Sequence, residues 1–254
     1  SFATSAAQAV SDADLVLVAA AVAETGAILA AIRPHLKPGA VVTDAGSTKS
    51  DVVAAARVAL GSQIACFVPG HPIAGREQNG PDAAIADLYV GKKVVLAALP
   101  ENAAADVERV ALAWRLCGAV IHALSAEEHD RVFAAVSHLP HLLAYALVDD
   151  IARKPHADLL FQYAASGFRD FTRIAGSSPE MWRDITLANQ KNISRVLGVF
   201  IEGLEEFRHT LDQGDAKAIE EFFQTAKKRR DAWRADDETT SAKGLARTAK
   251  GAKS

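Results

Sequence analysis

Apolar residues in the first half of the chain come in short unbroken runs, separated by stretches with helical spacing. "DLVLVAAAV" (Asp14–Val22) has the length and continuity of a strand buried on both faces of a parallel sheet. "AETGAILAAIRPHL" follows with helical periodicity and "KPG" ends it. The same alternation recurs: strand "AVVTDAG" (Ala40–Gly46), helix "KSDVVAAARVAL", strand "QIACFVPG", strand "KKVVLAAL" (Lys92–Leu99), helix "AAADVERVALAWRLCG" and strand "AVIHAL". Strands alternating with helices predict a parallel sheet with helices on its faces.

After Leu124 the pattern changes. Ser125 and Glu128 have capping-box spacing, so a helix is expected to start there. Long helical patterns then cover Ala126–Ala152, roughly Ala157–Gly167, Pro179–Leu211 and Asp215–Arg234, with Ser178-Pro179 as an N-cap followed by proline. The division predicted is therefore 1–124 as an α/β domain, 125–235 as an all-helical domain, and 236–254, small and polar, as a disordered tail.

Composition narrows the class. Half of the 254 residues are apolar, and the formal net charge is −3. That balance lacks the basic face of a nucleic-acid binder. No uninterrupted apolar run reads as a membrane span, and no signal peptide is visible. The two cysteines, Cys66 and Cys117, lie in apolar runs and read as buried thiols of a reducing compartment.

Candidate chemistry gathers at strand ends and in the helical half. Ser47 follows the second strand and His71 the third, 24 positions later. Ligands of open α/β sheets sit at such carboxyl ends. The Pro69-Gly70-His71-Pro72 frame fixes the backbone around the imidazole, whereas a lone Ser47 also reads as an ordinary turn residue. Pro140 is expected to kink the first long helix, and His138 and His141 share a face of it. No third and fourth ligand accompanies them, so no metal site is expected. "SGFRDFTRIAGSSPEMWRD" (Ser166–Asp184) holds Arg169, Arg173, Arg183 and Trp182 among acids. These arginines either pair with Asp170, Glu180 and Asp184 or grip a carboxylate. No G-x-G-x-x-G turn occurs anywhere in the chain.

Four ordered stretches, "DAGSTKSDVV", "GHPIAGREQNG", "HDRVFAAVSHLPHLLAYAL" and "GFRDFTRIAGSSPEMWRDI", closely resemble the prephenate/arogenate (cyclohexadienyl) dehydrogenases of tyrosine biosynthesis, over roughly Ser11 to Trp233. The resemblance implies an α/β Rossmann-type domain, N-terminally incomplete, followed by a helical dimerisation domain. It implies oxidative decarboxylation of prephenate or arogenate with NAD or NADP, in a cytoplasmic homodimer. By the same resemblance His71 matches the catalytic histidine, Ser47 a serine beside it and the cofactor, and Arg173 the arginine that holds the substrate carboxylate. His141 matches a substrate-side histidine, in preference to His138, while Gly167 and Trp182 match pocket positions.

Two departures from the family pattern stand out. The glycine-rich strand–turn–helix is absent, so the chain is expected to lack its first βαβ unit. Ala20-Ala21 also replaces the Val-Pro that commonly borders the cofactor. The competing readings are another two-domain hydroxyacid dehydrogenase, or an inactive dimeric remnant of such an enzyme.

Overall fold

The structure is a computed structural model that describes residues 3–75 and 84–251, with side chains through residue 233. The second part of the "GHPIAGREQNG" stretch thus lies outside the described residues. Close packing divides the chain into two units, residues 1–196 and 197–254. The change of pattern at 124/125 falls inside the first.

The first unit opens with α1 (Ala6–Val10) and β1 (Leu15–Val18), then a 3₁₀ turn over Val22–Glu24 and α2 (Thr25–Ile32). β2 (Val41–Asp44), α3 (Ser50–Leu60), β3 (Phe67–Val68) and β4 (Gly70–Pro72) follow. β5 (Lys93–Leu96), α4 (Ala104–Leu116) and β6 (Val120–Ala123) complete the α/β part. β1, β2 and β3 form one parallel sheet, with Val18 opposite Asp44 and Thr43 opposite Val68.

The second sheet departs from the all-parallel expectation. β4 pairs antiparallel with β5, setting His71 opposite Val95, and only β5 and β6 run parallel. β4 carried no strand signal because Gly-His-Pro offers no apolar alternation.

Consecutive residues of β2 feed opposite layers, as the two-residue period of a strand requires. Val42 packs with Leu29, Ile32, Val52, Ala56, Leu60 and Phe67, beneath α2 and α3. Val41 packs with Val68, Val94, Leu96, Val110, Ala111 and Trp114, beneath α4. The cysteine expectation fails here. Cys66 is only half-buried, and Cys117 is exposed because it caps the last turn of α4, where the helix leaves the core.

The remainder of the unit is helical: α5 (Ala126–Phe133), α6 (Leu139–Ala152), α7 (Ala157–Gln162), α8 (Ser166–Thr172), α9 (Pro179–Ala188) and the start of α10 (Gln190–Asp212). The Ser125–Glu128 capping box is present in both directions. α5 and α6 are joined by a π-helical turn over Ala134–His138, immediately before Pro140. The proline nitrogen has no hydrogen to donate, and the wider turn accommodates the missing bond. By length and composition 126–152 is apolar enough to cross a membrane. Its His129, Asp130 and His138, however, are all buried against protein partners.

In the second unit α10 ends and Gly214, at φ 66°, turns the chain into α11 (Ala216–Gly251). Phe207 meets Phe222 and Phe223 across this turn, with ring centroids 4.7 and 5.8 Å apart. α11 runs on through most of the segment expected to be disordered. Its sequence is rich in Ala, Lys and Arg and has no proline, so no strong breaker stops the helix.

Candidate active site

Each strand of the first sheet delivers a short segment at its carboxyl end, and the side chain of Asp44 ties two of these segments together. Asp44 is the last residue of β2 and is buried. Its Oδ2 accepts from the Gly46 amide at 2.8 Å, and its Oδ1 accepts from the Gly70 amide at 2.9 Å. Gly46 precedes Ser47, and Gly70 precedes His71. The two residues expected to meet are thus held on either side of one carboxylate. Lys49, fully buried, closes an ion pair with Asp44.

His71 meets α5. Its Nδ1 lies 2.7 Å from Nε2 of His129, whose own Nδ1 lies 2.8 Å from Oδ1 of Asp130. Asp130 also accepts from the backbone amides of Lys49 and Ser50, both at 2.8 Å, and so caps the N-terminus of α3 from a different helix. Phe133, one turn beyond His129, lies against both imidazoles, with centroids 5.1 and 4.5 Å away.

This connectivity sets the protonation pattern. A carboxylate only accepts, so the His129 proton sits on Nδ1. His129 Nε2 then accepts from Nδ1–H of His71, and Nε2 of His71 keeps a bare lone pair. Burial, His129, the Lys49 ammonium and His138 together push His71 well below the ordinary imidazole value of 6.5, against the opposing pull of Asp130. Burial likewise lowers His129, against its hydrogen bond to Asp130. Burial alone would raise Asp130, but the bonds from His129 and from the Ser50 and Lys49 amides outweigh it and hold the carboxyl below its usual value. His71 is therefore a neutral base at neutral pH, with an anion two bonds behind it.

A second cluster adjoins the first. Asn189, between α9 and α10, donates to the Asp130 carbonyl at 2.7 Å and lies 3.2 Å from Nδ1 of His138. His138 touches Trp182 edge-on, and His141 stacks on the same indole with centroids 3.7 Å apart. His141 Nδ1 donates to the Ser137 carbonyl at 2.8 Å. Each of the two histidines expected to share a face thus has a protein partner. His138 is fully buried, and His141 is half-buried.

His138 also makes the fold acid-sensitive. Burial, with His129 and His141 nearby, lowers it to about 4, against the attraction of Asp130. As pH falls below the unfolded value of about 6.5, the unfolded chain binds a proton that the folded chain refuses. Stability should drop by roughly 3 kcal/mol between pH 6.5 and 4. Asp130, depressed in the fold, removes further stability below its unfolded value. Denaturant unfolding at several pH values measures this, and a flat profile across that window would contradict it.

The other expected residues occupy defined places. Arg173 is exposed and opens a 3₁₀ turn, Arg173–Gly176, that packs on α6, the helix bearing His141. Tyr145 of α6 fastens the neighbouring segment by donating to the Ser177 carbonyl at 2.6 Å. Gly167 is exposed in the first turn of α8, which also packs on α6. Arg183 pairs with its neighbour Asp184 at 2.7 Å, in keeping with the ion-pair expectation for that residue. Ser47 and Ala20 are half-buried and Ala21 is exposed. The Val22–Glu24 turn that follows Ala21 packs on α9, the helix that carries Trp182.

Sequence reasoning assigned no role to His129, Asp130, Asp44, Lys49 or Asn189. A signal existed for two of them. The buried positions of α5 are Ala126, His129, Asp130 and Phe133, the i, i+3, i+4, i+7 stripe of an amphipathic helix. Two titratable residues on a core stripe mark a polar network.

Family models match almost the whole of this arrangement. Residues 1–123 match the prephenate dehydrogenase nucleotide-binding domain, and residues 125–225 the prephenate dehydrogenase dimerization domain. The chain belongs to the prephenate dehydrogenase family. It is 37% identical over 230 residues to a cyclohexadienyl dehydrogenase of Zymomonas mobilis, covering 90% of this chain and 78% of that one. It is 38% identical over 192 residues to a prephenate dehydrogenase of Bacillus subtilis, covering 75% of this chain and 52% of that one. A prephenate dehydrogenase from Aquifex aeolicus, solved with hydroxyphenyl propionate and NAD+, superposes with a TM-score of 0.83 at 36% identity, covering 90% of this chain and 79% of that one.

The residues expected to border the cofactor share one edge of the first sheet. Ala20, Ala21 and Ser47 follow the carboxyl ends of β1 and β2, which are adjacent and in register. That edge of an open α/β sheet is where ligands bind.

Proposed function

We propose that this chain catalyses the NAD(P)-dependent oxidative decarboxylation of prephenate or arogenate, with His71 as the base. The observation that carries this reading is the His71–His129–Asp130 relay, which leaves Nε2 of His71 unprotonated. NAD, held by Ala20, Ala21 and Ser47, would supply hydride acceptance from the ring carbon that bears the hydroxyl.

The chain's own residues do the rest. His71 Nε2 takes the hydroxyl proton as that carbon becomes a carbonyl. The ring carboxylate then leaves as CO2, and its bonding electrons make the ring aromatic. The proton returns from His71 to the phenol oxygen. Asp130 stabilises the charge that passes onto the histidine pair. Arg173 grips a substrate carboxylate through its planar guanidinium. His141 and Trp182 form a stacked wall for the substrate ring, and Gly167 leaves the approach open.

The test is NADH formation from prephenate or arogenate, with one CO2 released per NADH. No NADH from either substrate, with NAD or NADP, would reject the reading. Arg173→Met should raise KM about 10- to 100-fold and change kcat far less, because one charge-assisted pair is worth roughly 1.5–3 kcal/mol. An unchanged KM would remove Arg173 from the site.

A homodimer in the cytoplasm belongs to the same proposal. Val199, Leu204, Phe222 and Phe223 are each more than half exposed in the second unit, an apolar surface that a second copy would cover. Sedimentation at micromolar concentration should give a dimer, and a monomer would count against it.

A further inference from the structure

We propose that Asp44 is a positioning residue for the reaction, its carboxylate fixing the spacing of Ser47 and His71 while Lys49 balances its charge. This rests on the functional reading above. One buried side chain bonds the amide immediately before each of those residues, one on each oxygen. No other bond among those described joins the Gly46 turn directly to β4.

The backbone is built around this contact. A Cβ on Gly46 would stand 2.9 Å from Asp44 Oδ2 and 3.0 Å from Val22. A Cβ on Gly70 would stand 3.0 Å from the Asp44 carbonyl and 3.1 Å from Thr43 Oγ1. A larger residue at Gly46 would push against the Asp44 carboxylate and the Val22 side chain, and one at Gly70 would need the Asp44 backbone to give by a few tenths of an ångström. Glycine at the two positions thus lets the carboxylate lie close against both amides without displacing its neighbours. Two backbone bonds and one ammonium use the acceptor directions of Asp44 more completely than a simple ion pair would.

Lys49 does more than neutralise. It sits in the turn between Ser47 and α3, its amide is held by Asp130, and its ammonium is held by Asp44. The same residue is therefore pinned to both carboxylates of the site. The charged and titratable groups acting on His71 are His129 and Asp130 from α5, His138 from the π turn and Lys49 itself. Removing the Lys49 charge should raise the titration midpoint of His71.

The experiment compares the full chain with Asp44→Asn and with Asp44→Asn/Lys49→Met. The single change places an amide NH2 against a backbone N–H and leaves Lys49 buried without its counter-ion, so the unfolding temperature should fall. The double change removes the orphaned charge and should recover most of that temperature, since an apolar isostere replaces a buried pair at little cost. It does not restore the second amide bond. The double variant should therefore keep kcat at about a tenth of the parent value or less, with KM within about threefold, since a displaced base acts on the chemical step. The His71 midpoint, followed by NMR without substrate, should move upward.

A double variant that regains kcat together with its unfolding temperature would overturn the proposal and leave the pair merely structural. An unmoved His71 midpoint would overturn it as well. A parent chain that turns over neither substrate would instead defeat the functional reading, and the NMR titration would still decide whether Asp44 and Lys49 act on His71.

Discussion

His71→Asn should lower kcat by about 10²–10⁴-fold, the range expected for loss of a positioned general base. The amide cannot accept a proton at neutral pH, yet it can still donate to Nε2 of His129. One neutral hydrogen bond of roughly 1 kcal/mol is all that is at stake for the fold, so the unfolding temperature should move by only a few degrees. Steady-state kinetics beside thermal unfolding separate the two effects. A variant with parental kcat would show that the imidazole does not take the proton.

Asp130→Asn is the second large effect, and it should strike stability and rate together. The carboxylate accepts three bonds: one from His129 and two from the first amides of α3. An amide offers one oxygen and turns two donors toward groups that also donate. Stability should fall by roughly 3–5 kcal/mol, as for other broken buried charge networks. The rate should fall as well. Without an obligate acceptor at Nδ1, His129 can carry its proton on Nε2, where it would face the Nδ1–H of His71 and turn that imidazole away. Loss of the orienting carboxylate behind a histidine costs up to about 10⁴-fold in kcat. The measurement is kcat at a temperature where circular dichroism shows the variant folded. A folded variant with parental kcat would show that Asp130 serves only as the cap of α3.

The strands β1, β2, β5 and β6 were legible because each is an apolar run bounded by turn residues, but the burial such runs suggest holds for β2 and most of β5 only: β1 is partly buried and β6 largely exposed. β4 was not, since its three residues are fixed by the strands they join rather than by their own pattern. The helical half was legible in type but not in its breaks. The expected helix at 157–167 ends at Gln162, and the one at 179–211 is divided at Asn189. Asn189 leaves the helix because its amide nitrogen is drawn to the Asp130 carbonyl, a contact 59 positions away in sequence. Local periodicity carries no trace of a partner that distant.

The candidate site divides along the same line. His71 stood out because proline and glycine frame it, and His141 because it shares a helix face with His138. Asp44, Lys49 and Asp130 did not. Each reads locally as a turn residue or a surface charge, and their burial exists only once β2, α3 and α5 have come together. A buried charge is costly unless it is paired, and the sequence does not show the pairing.

The protonation state of His71 tests the central claim most directly. Nitrogen NMR of the imidazole, with His71→Asn used to assign its resonances, reads both ring positions near neutral pH without any substrate. The relay through His129 and Asp130 predicts a proton on Nδ1 and a bare Nε2. A proton on Nε2, or an imidazolium at that pH, would contradict it.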